Sequence, residues 1–292
     1  MNLYSLATIR YLSDKYGFRT SKGLGQNFLT DPSVIRQMVE GAQIAPDDLV
    51  IEIGPGIGVL TEAAAQTAAR VAAVEVDERL LPVLGETLKQ YDNIDIIHED
   101  ILKLDVDRLI QEQRETYGIT GKTRIVGNLP YYITTPIIMK LLEDGVHAQS
   151  ITVMMQKEVA QRIRSSAGSR QYGAISVAVQ YYCTVEEIVS APKEVFYPRP
   201  KVDSAVLHLQ MREEKAALPA DEKLFFACVK AGFGQRRKTL RNALSAGLDM
   251  PRDRVGKILE EAGVDEGRRA ETLSIGEFAA ISDVITKQTA EV

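Results

Sequence analysis

From about residue 49 the chain repeats a short apolar run, a turn and a helical stretch, the pattern of a parallel sheet covered by helices. LVIEIG (49–54), VAAVEVD (71–77), IDIIHED (94–100), RIVGNLP (124–130) and SITVMMQ (150–156) predict strands. AISVAVQYYCTVEEIVS (174–190) and KVDSAVLHLQM (201–211), rich in β-branched and aromatic residues, predict further strands that extend the sheet in antiparallel fashion. Between the runs, 31–44, 58–69, 78–90 and 134–144 read as helices, and Asp31-Pro32 and Thr134-Thr135-Pro136 supply starts with Pro in the first turn. The expected result is an α/β domain, a mostly parallel, doubly wound sheet with helices on both faces.

After about residue 212 the strand signals stop. Residues 221–233, 236–246, 251–262 and 274–287 are helical in character, and Ser274 with Glu277 forms a capping-box pattern for the last of them. Charge and Pro cluster at Glu213 to Pro219 and place a boundary there. The expected division is an N-terminal segment over 1–30, an α/β domain over 31–212 and a helical domain over 213–292. The opening MNLYSLATIRYLSDKYGF alternates polar and apolar residues, predicting an amphipathic helix rather than a signal peptide or membrane span.

Composition adds a globular balance, 45% hydrophobic and 26% charged in 292 residues, enough apolar side chain for a core. Cys183 and Cys228 lie far apart with no metal or redox spacing, so the reading is buried thiols in a reducing cytoplasm and no bound metal. The net charge of −5 runs against nucleic-acid binding, but it hides an asymmetry. Residues 193–292 carry 17 basic and 16 acidic side chains, and 224–243 holds Lys230, Arg236, Arg237, Lys238 and Arg241 with no acid. On a helix over 236–246, Arg237 and Arg241 share a face, as do Lys238 and Arg241, and with Arg236 they form a candidate basic patch, which the family resemblance described below makes an RNA contact.

The chemistry gathers at strand ends. Glu52-Ile53-Gly54-Pro55-Gly56-Ile57-Gly58 leaves a strand and opens a helix, with Gly54 and Gly56 where a side chain would block a ligand. Its G-x-G-x-G spacing departs from the G-x-G-x-x-G of pyrophosphate-binding turns and favours a ligand without phosphates, such as S-adenosylmethionine. Glu75 ends the second strand, where a carboxylate accepts both hydroxyls of a ribose; Asp100 ends the third, where it accepts from an adenine amine. Asn128-Leu129-Pro130-Tyr131 follows the fourth. An exocyclic adenine amine is a poor nucleophile because its lone pair is delocalised into the ring. The Asn128 side-chain oxygen and the Leu129 carbonyl can accept its two N–H protons and favour a more tetrahedral nitrogen. Pro130 rigidifies the turn, and Tyr131 offers a ring for the base to stack on.

These residues carry a resemblance. Lys22-Gly23-Leu24-Gly25-Gln26-Asn27-Phe28-Leu29, the glycine loop, Glu75, Asp100, NLPYY, Phe196-Tyr197-Pro198-Arg199-Pro200-Lys201-Val202-Asp203-Ser204 and Phe233 to Asn242 match, in order, the ribosomal RNA small-subunit adenine dimethyltransferases. The chain resembles that family from about residue 18 onward. The resemblance implies a Rossmann-like class I methyltransferase fold, with Asn27 and Leu29 folding over the cofactor to join Gly54, Glu75, Asp100 and Asn128. It implies that Phe196 forms the second wall of the target pocket opposite Tyr131, and that two adjacent adenosines near the 3′ end of 16S rRNA receive two methyl groups each, during late small-subunit assembly. A cytoplasmic monomer acting on an immature subunit is expected. Tyr132 departs from the Asn expected in many relatives. Alternatives are a 23S rRNA adenine methyltransferase of the erythromycin-resistance type, a non-catalytic assembly or transcription factor of the same fold, and a nicotinamide-dependent oxidoreductase.

Overall fold

The computed structural model describes residues 1–18 and 26–290, so Lys22 to Gly25 of the N-terminal motif lie outside the described residues. In chain order the elements are α1 (Leu6–Tyr16), β1 (Phe28–Leu29), α2 (Pro32–Gly41), β2 (Leu49–Ile53), α3 (Val59–Ala65), β3 (Arg70–Glu75), α4 (Leu81–Thr87), β4 (Ile94–His98), α5 (Val106–Tyr117), β5 (Thr123–Asn128), α6 (Thr134–Glu143), β6 (Ser150–Gln156), α7 (Lys157–Arg164), α8 (Ala174–Tyr182), β7 (Cys183–Ala191), β8 (Phe196–Tyr197), β9 (Ser204–Met211), α9 (Glu222–Gly234), α10 (Leu240–Gly247), α11 (Arg252–Glu261) and α12 (Ile275–Ala290).

The chain forms two compact units, one of Met1–Ala160 with Glu186–Met211, the other of Gln161–Val185 with the chain from Arg212 onward. The second therefore also takes in 161–185, which the expected division over 31–212 had assigned to the α/β domain.

In the first unit the main sheet has the order β4-β3-β2-β5-β6-β9-β7. β4 through β6 run parallel, with Ile53 opposite both Val74 and Gly127, and β9 returns antiparallel, setting Leu207 against Val153. All five residues of β2 are buried, as a central parallel strand covered on both faces requires. This is why the strand reads as a nearly unbroken apolar run. From β2 the chain winds outward through β3 and β4, then crosses to β5 on the other side. That reversal opens a crevice beyond the carboxyl ends of these strands.

The N-terminal elements pack onto this frame. The Ser5 side chain caps α1, and Gly17 ends it in the left-handed conformation. Asp31 caps α2 by accepting the Ser33 N–H at 2.8 Å, with Pro32 in the first turn. Leu12, Phe18, Phe28, Leu29, Ile35 and Met38 share one buried apolar cluster, in which the Phe18 and Phe28 rings meet edge to face at 6.1 Å.

In the second unit two expectations are corrected. Residues 174–182 are helix, and the strand expected over 174–190 begins only at Cys183. The Ser176 hydroxyl accepts the Gly173 N–H at 3.0 Å and donates to the Arg162 carbonyl, fixing the helix start. Tyr181 and Tyr182 pack among Phe225 and Phe226, and both phenols donate to the Glu222 carboxylate, at 3.1 and 2.6 Å. That packing overrides the β propensity of the segment.

The helix expected over 236–246 starts instead at Leu240. Gln235 leaves helical geometry at φ −133°, ψ 67°, and the Lys238 N–H closes a turn on the Gln235 carbonyl. The capping box at the start of α12 is present, with Ser274 N–H to Glu277 Oε2 at 2.8 Å and Glu277 N–H to Ser274 Oγ at 3.2 Å. Among the described residues, no helix is long and apolar enough to cross a membrane.

Candidate active site

The crevice draws its walls from the strand ends and the N-terminal strand. Its lining includes Gln26, Asn27, Phe28 and Leu29; Glu52, Gly54, Pro55 and Gly56; Glu75 and Val76; Glu99 and Asp100; and Asn128 through Ile133. Expected cofactor residues Asn27, Leu29, Gly54, Gly56, Glu75, Asp100 and Asn128 are thus brought together, as are Leu129 and Tyr131.

The glycine loop is bound into the protein. Gly54 N–H donates to the Val74 carbonyl at 3.0 Å, Gly56 N–H to Glu75 Oε2 at 3.3 Å and Gly58 N–H to the Pro55 carbonyl at 2.9 Å. These donors are therefore not presented as a phosphate cradle. Gly56 has φ +62°, and a Cβ there would lie 3.2 Å from the Phe28 ring. Backbone conformation and the close approach of β1 both demand glycine at this position.

Charge points the same way. Glu75, Glu99 and Asp100 line the crevice beside the buried Glu52, and no Lys, Arg or His is among the described lining residues. A phosphate is repelled here, whereas a cationic ligand rich in hydroxyl and amine donors is attracted. S-adenosylmethionine, with its sulfonium, ammonium and ribose hydroxyls, has that chemistry. Glu52, at 1% exposure, has its Oε2 buried without a hydrogen-bond partner among the described residues. Burial pushes its carboxyl up to about 8; the nearby Thr61 hydroxyl opposes the shift without meeting hydrogen-bond geometry, and Glu75 adds to it. A buried polar atom left without a partner is costly, and a donor from the ligand would satisfy it.

Glu75 is buried and accepts the Asp77 N–H at 2.8 Å as well as the Gly56 N–H. Burial raises its pKa, and the Asp77 and Gly56 amides oppose the rise. Asp77 in turn holds Gln26 at 2.8 Å and Arg79 at 2.7 Å, tying the N-terminal motif to the end of β3. Asp100 Oδ1 accepts the Leu102 N–H at 3.0 Å at the edge of the crevice.

At the end of β5, Asn128 Nδ2 donates to the Asn27 carbonyl at 3.1 Å. With its amino group so engaged, the amide presents its oxygen as an acceptor. The Leu129 N–H is held by the Met154 carbonyl at 3.2 Å, and the Pro130 carbonyl accepts from Ile133 N–H at 3.2 Å and Thr134 Oγ1 at 3.0 Å. The Leu129 carbonyl accepts no hydrogen bond from a described residue. The Tyr131 and Ser204 hydroxyls bond at 2.7 Å, and burial raises the tyrosine's pKa, so its ring stays neutral and fixed.

Three of the expected site residues have partners elsewhere in the protein. Phe196 pairs with Leu29 of β1 and lies in the apolar cluster with Phe28 and Leu29, 4% exposed. Arg236 donates to the carbonyls of Arg170 and Tyr172, at 2.6 and 3.2 Å. Arg241 bonds Asp253 at 2.8 Å and Glu266 at 3.1 Å. Arg237 and Lys238 are exposed in the turn before α10 and form no ion pair with a described residue. Sequence reasoning missed Glu52, although a lone carboxylate in the run LVIEI was its signal. It also missed the Gln26–Asp77 tie, which no local pattern announces. Among the described residues no group of three or more His, Cys, Asp or Glu side chains could hold a metal ion.

The sequence model of a family described as ribosomal RNA adenine dimethylase matches residues 17–287. A protein of Alkaliphilus metalliredigens named ribosomal RNA small subunit methyltransferase A is 47% identical over 282 residues, covering 96% of each chain. One of the same name from Bacillus cytotoxicus is 49% identical over 275 residues, covering 93% of each. Among solved structures, a dimethyladenosine transferase from Plasmodium falciparum is similar in fold at a TM-score of 0.73 and 21% identity, over 89% of this chain and 98% of that one. The 23S rRNA methyltransferase ErmE is similar at 0.64 and 27%, over 88% and 99%.

Proposed function

This chain belongs to the ribosomal RNA adenine dimethylase family, and on that premise we propose that its crevice transfers methyl groups from S-adenosylmethionine to the N6 amines of two adjacent adenosines near the 3′ end of 16S rRNA. The observation that carries the reading is the Asn128-Leu129-Pro130-Tyr131 loop opening into an acid-lined crevice without a basic residue among those described. Relatives at 46–49% identity bear small-subunit names, whereas the structural neighbour named for 23S rRNA is 27% identical; this favours the small subunit as substrate.

Bound S-adenosylmethionine supplies an activated sulfonium methyl. The protein's part is placement. Glu75 takes the cofactor's ribose hydroxyls, Asp100 its adenine amine, and Glu52 a donor at the crevice wall. Asn27 and Leu29 cover the ligand. Asn128 Oδ1 and the Leu129 carbonyl accept the two N–H protons of the target amine and aim its lone pair, while Tyr131 stacks on the base. The loop holds no strong base and needs none, since the surplus proton leaves to water after transfer. Orientation then contributes most of the acceleration. A flipped target base must reach this loop, as in other base-modifying enzymes.

The helical unit is proposed as an rRNA contact, made by Arg237 and Lys238 rather than by Arg236 and Arg241, whose guanidiniums already bond within the protein. We place the enzyme's action on an immature small subunit in the cytoplasm, as a monomer. The test is incubation of separately purified small and large subunits, both lacking these methylations, with labelled S-adenosylmethionine. Label should enter 16S rRNA; label in 23S rRNA alone overturns the assignment.

A further inference from the structure

Two tyrosines stand side by side in the catalytic loop, and they are held differently. Tyr131 is half-buried, its hydroxyl fixed on Ser204. Tyr132 is 57% exposed yet still lines the crevice, and it makes no side-chain hydrogen bond or ring contact with a described residue. Its backbone is not loose: the bonds of Ile133 and Thr134 to the Pro130 carbonyl close the turn around it. A lone exposed aromatic is ordinary on a protein surface. This one lies at the mouth of the site, one residue from the ring proposed to hold the target base.

We propose that the Tyr132 ring is a stacking platform for the nucleoside next to the one being methylated. The inference rests on the reading of the crevice as an rRNA adenine site. Drawing one base out of a strand strips its neighbour of a stacking partner. At this mouth the protein cannot compensate by charge, because the described lining is acidic and lacks Lys and Arg. An aromatic face replaces the lost partner without attracting or repelling phosphate, and such stacking contributes about tenfold in affinity. The residue is thus a positioning residue that holds the base flanking the target.

The test compares Tyr132→Ala, Tyr132→Phe and Tyr132→Trp with the unaltered chain on unmethylated small subunits, measuring KM for subunits, KM for S-adenosylmethionine and kcat. Tyr132→Ala should raise KM for subunits about tenfold, leaving KM for S-adenosylmethionine and kcat within about twofold. Tyr132→Phe and Tyr132→Trp should retain the original value, since a stack needs the ring and not the hydroxyl. An unchanged KM for subunits in Tyr132→Ala overturns the proposal. So does a loss in Tyr132→Phe equal to that in Tyr132→Ala, and so does a rise confined to KM for S-adenosylmethionine, which would put the ring on the cofactor. No transfer by the unaltered chain, by contrast, sinks the underlying function itself.

Discussion

At the scale of single residues, the crevice depends on buried groups whose protonation is set by their surroundings. Glu52 has the clearest consequence. In the folded protein its carboxyl titrates near 8, whereas in the unfolded chain it titrates in the ordinary carboxylate range. The folded state therefore binds the proton more tightly, and the associated stability is fully present at acid pH and is lost as pH rises from the ordinary range through about 8. Glu52→Gln keeps the shape and removes the titration. Urea unfolding of the ligand-free protein across this range should show a decline with rising pH that is shallower in the variant. Equal slopes would show that Glu52 ionises freely in the folded protein. Sequence made Glu52 visible only as one acid in an apolar strand; its orphaned oxygen became apparent once β2, α3 and β3 surrounded it. Phe196 shows what sequence leaves out: β8 pairs with Leu29 and the ring joins the cluster that holds Phe28 and Leu29, a pairing between strands so distant in sequence that it leaves no local trace.

At the scale of elements, the turn between β2 and α3 and the start of α12 give separable predictions. Gly56→Ala forces a side chain onto φ +62° and against Phe28, costing about 1–3 kcal/mol. Since Phe28 lines the crevice, S-adenosylmethionine affinity measured by calorimetry should fall by about tenfold or more together with Tm. Ser274→Ala removes an N-cap from the helical unit and should cost about 1 kcal/mol of stability, with cofactor affinity unchanged. Loss of cofactor affinity in Ser274→Ala would contradict the assignment of the site to the first unit alone. Strands β2, β3, β5 and β6 were legible because a parallel strand buried on both faces reads as an apolar run. Residues 174–182 were not, because Ile, Val and Tyr suit a strand until the aromatic cluster with Phe225 and Phe226 selects the helix.

At the scale of the whole molecule, an acidic chain acts on a polyanion, so the placement of its cations matters. The sequence displayed the basic stretch but not its partners: Arg236 bonds carbonyls at 170 and 172, and Arg241 bonds acids at 253 and 266, all remote along the chain. Of the four proposed RNA contacts, Arg237 and Lys238 form no ion pair with a described residue. Replacing both by Ala should weaken small-subunit binding and reduce the slope of log affinity against log salt by about two, with S-adenosylmethionine affinity intact. An unaltered slope would move the RNA contact elsewhere.

The central claim is that the Asn128 loop activates an adenine amine for two methyl transfers, and nucleoside mass spectrometry of 16S rRNA tests it most directly. Small subunits lacking the modification would be incubated with S-adenosylmethionine and either the unaltered enzyme or Asn128→Ala. The account predicts N6,N6-dimethyladenosine at two adjacent positions with the unaltered enzyme, and a rate about two to three orders of magnitude lower with Asn128→Ala, although the variant still binds subunits. Dimethyladenosine formed by Asn128→Ala at the original rate, or methyl groups found on another atom of the base, would contradict it.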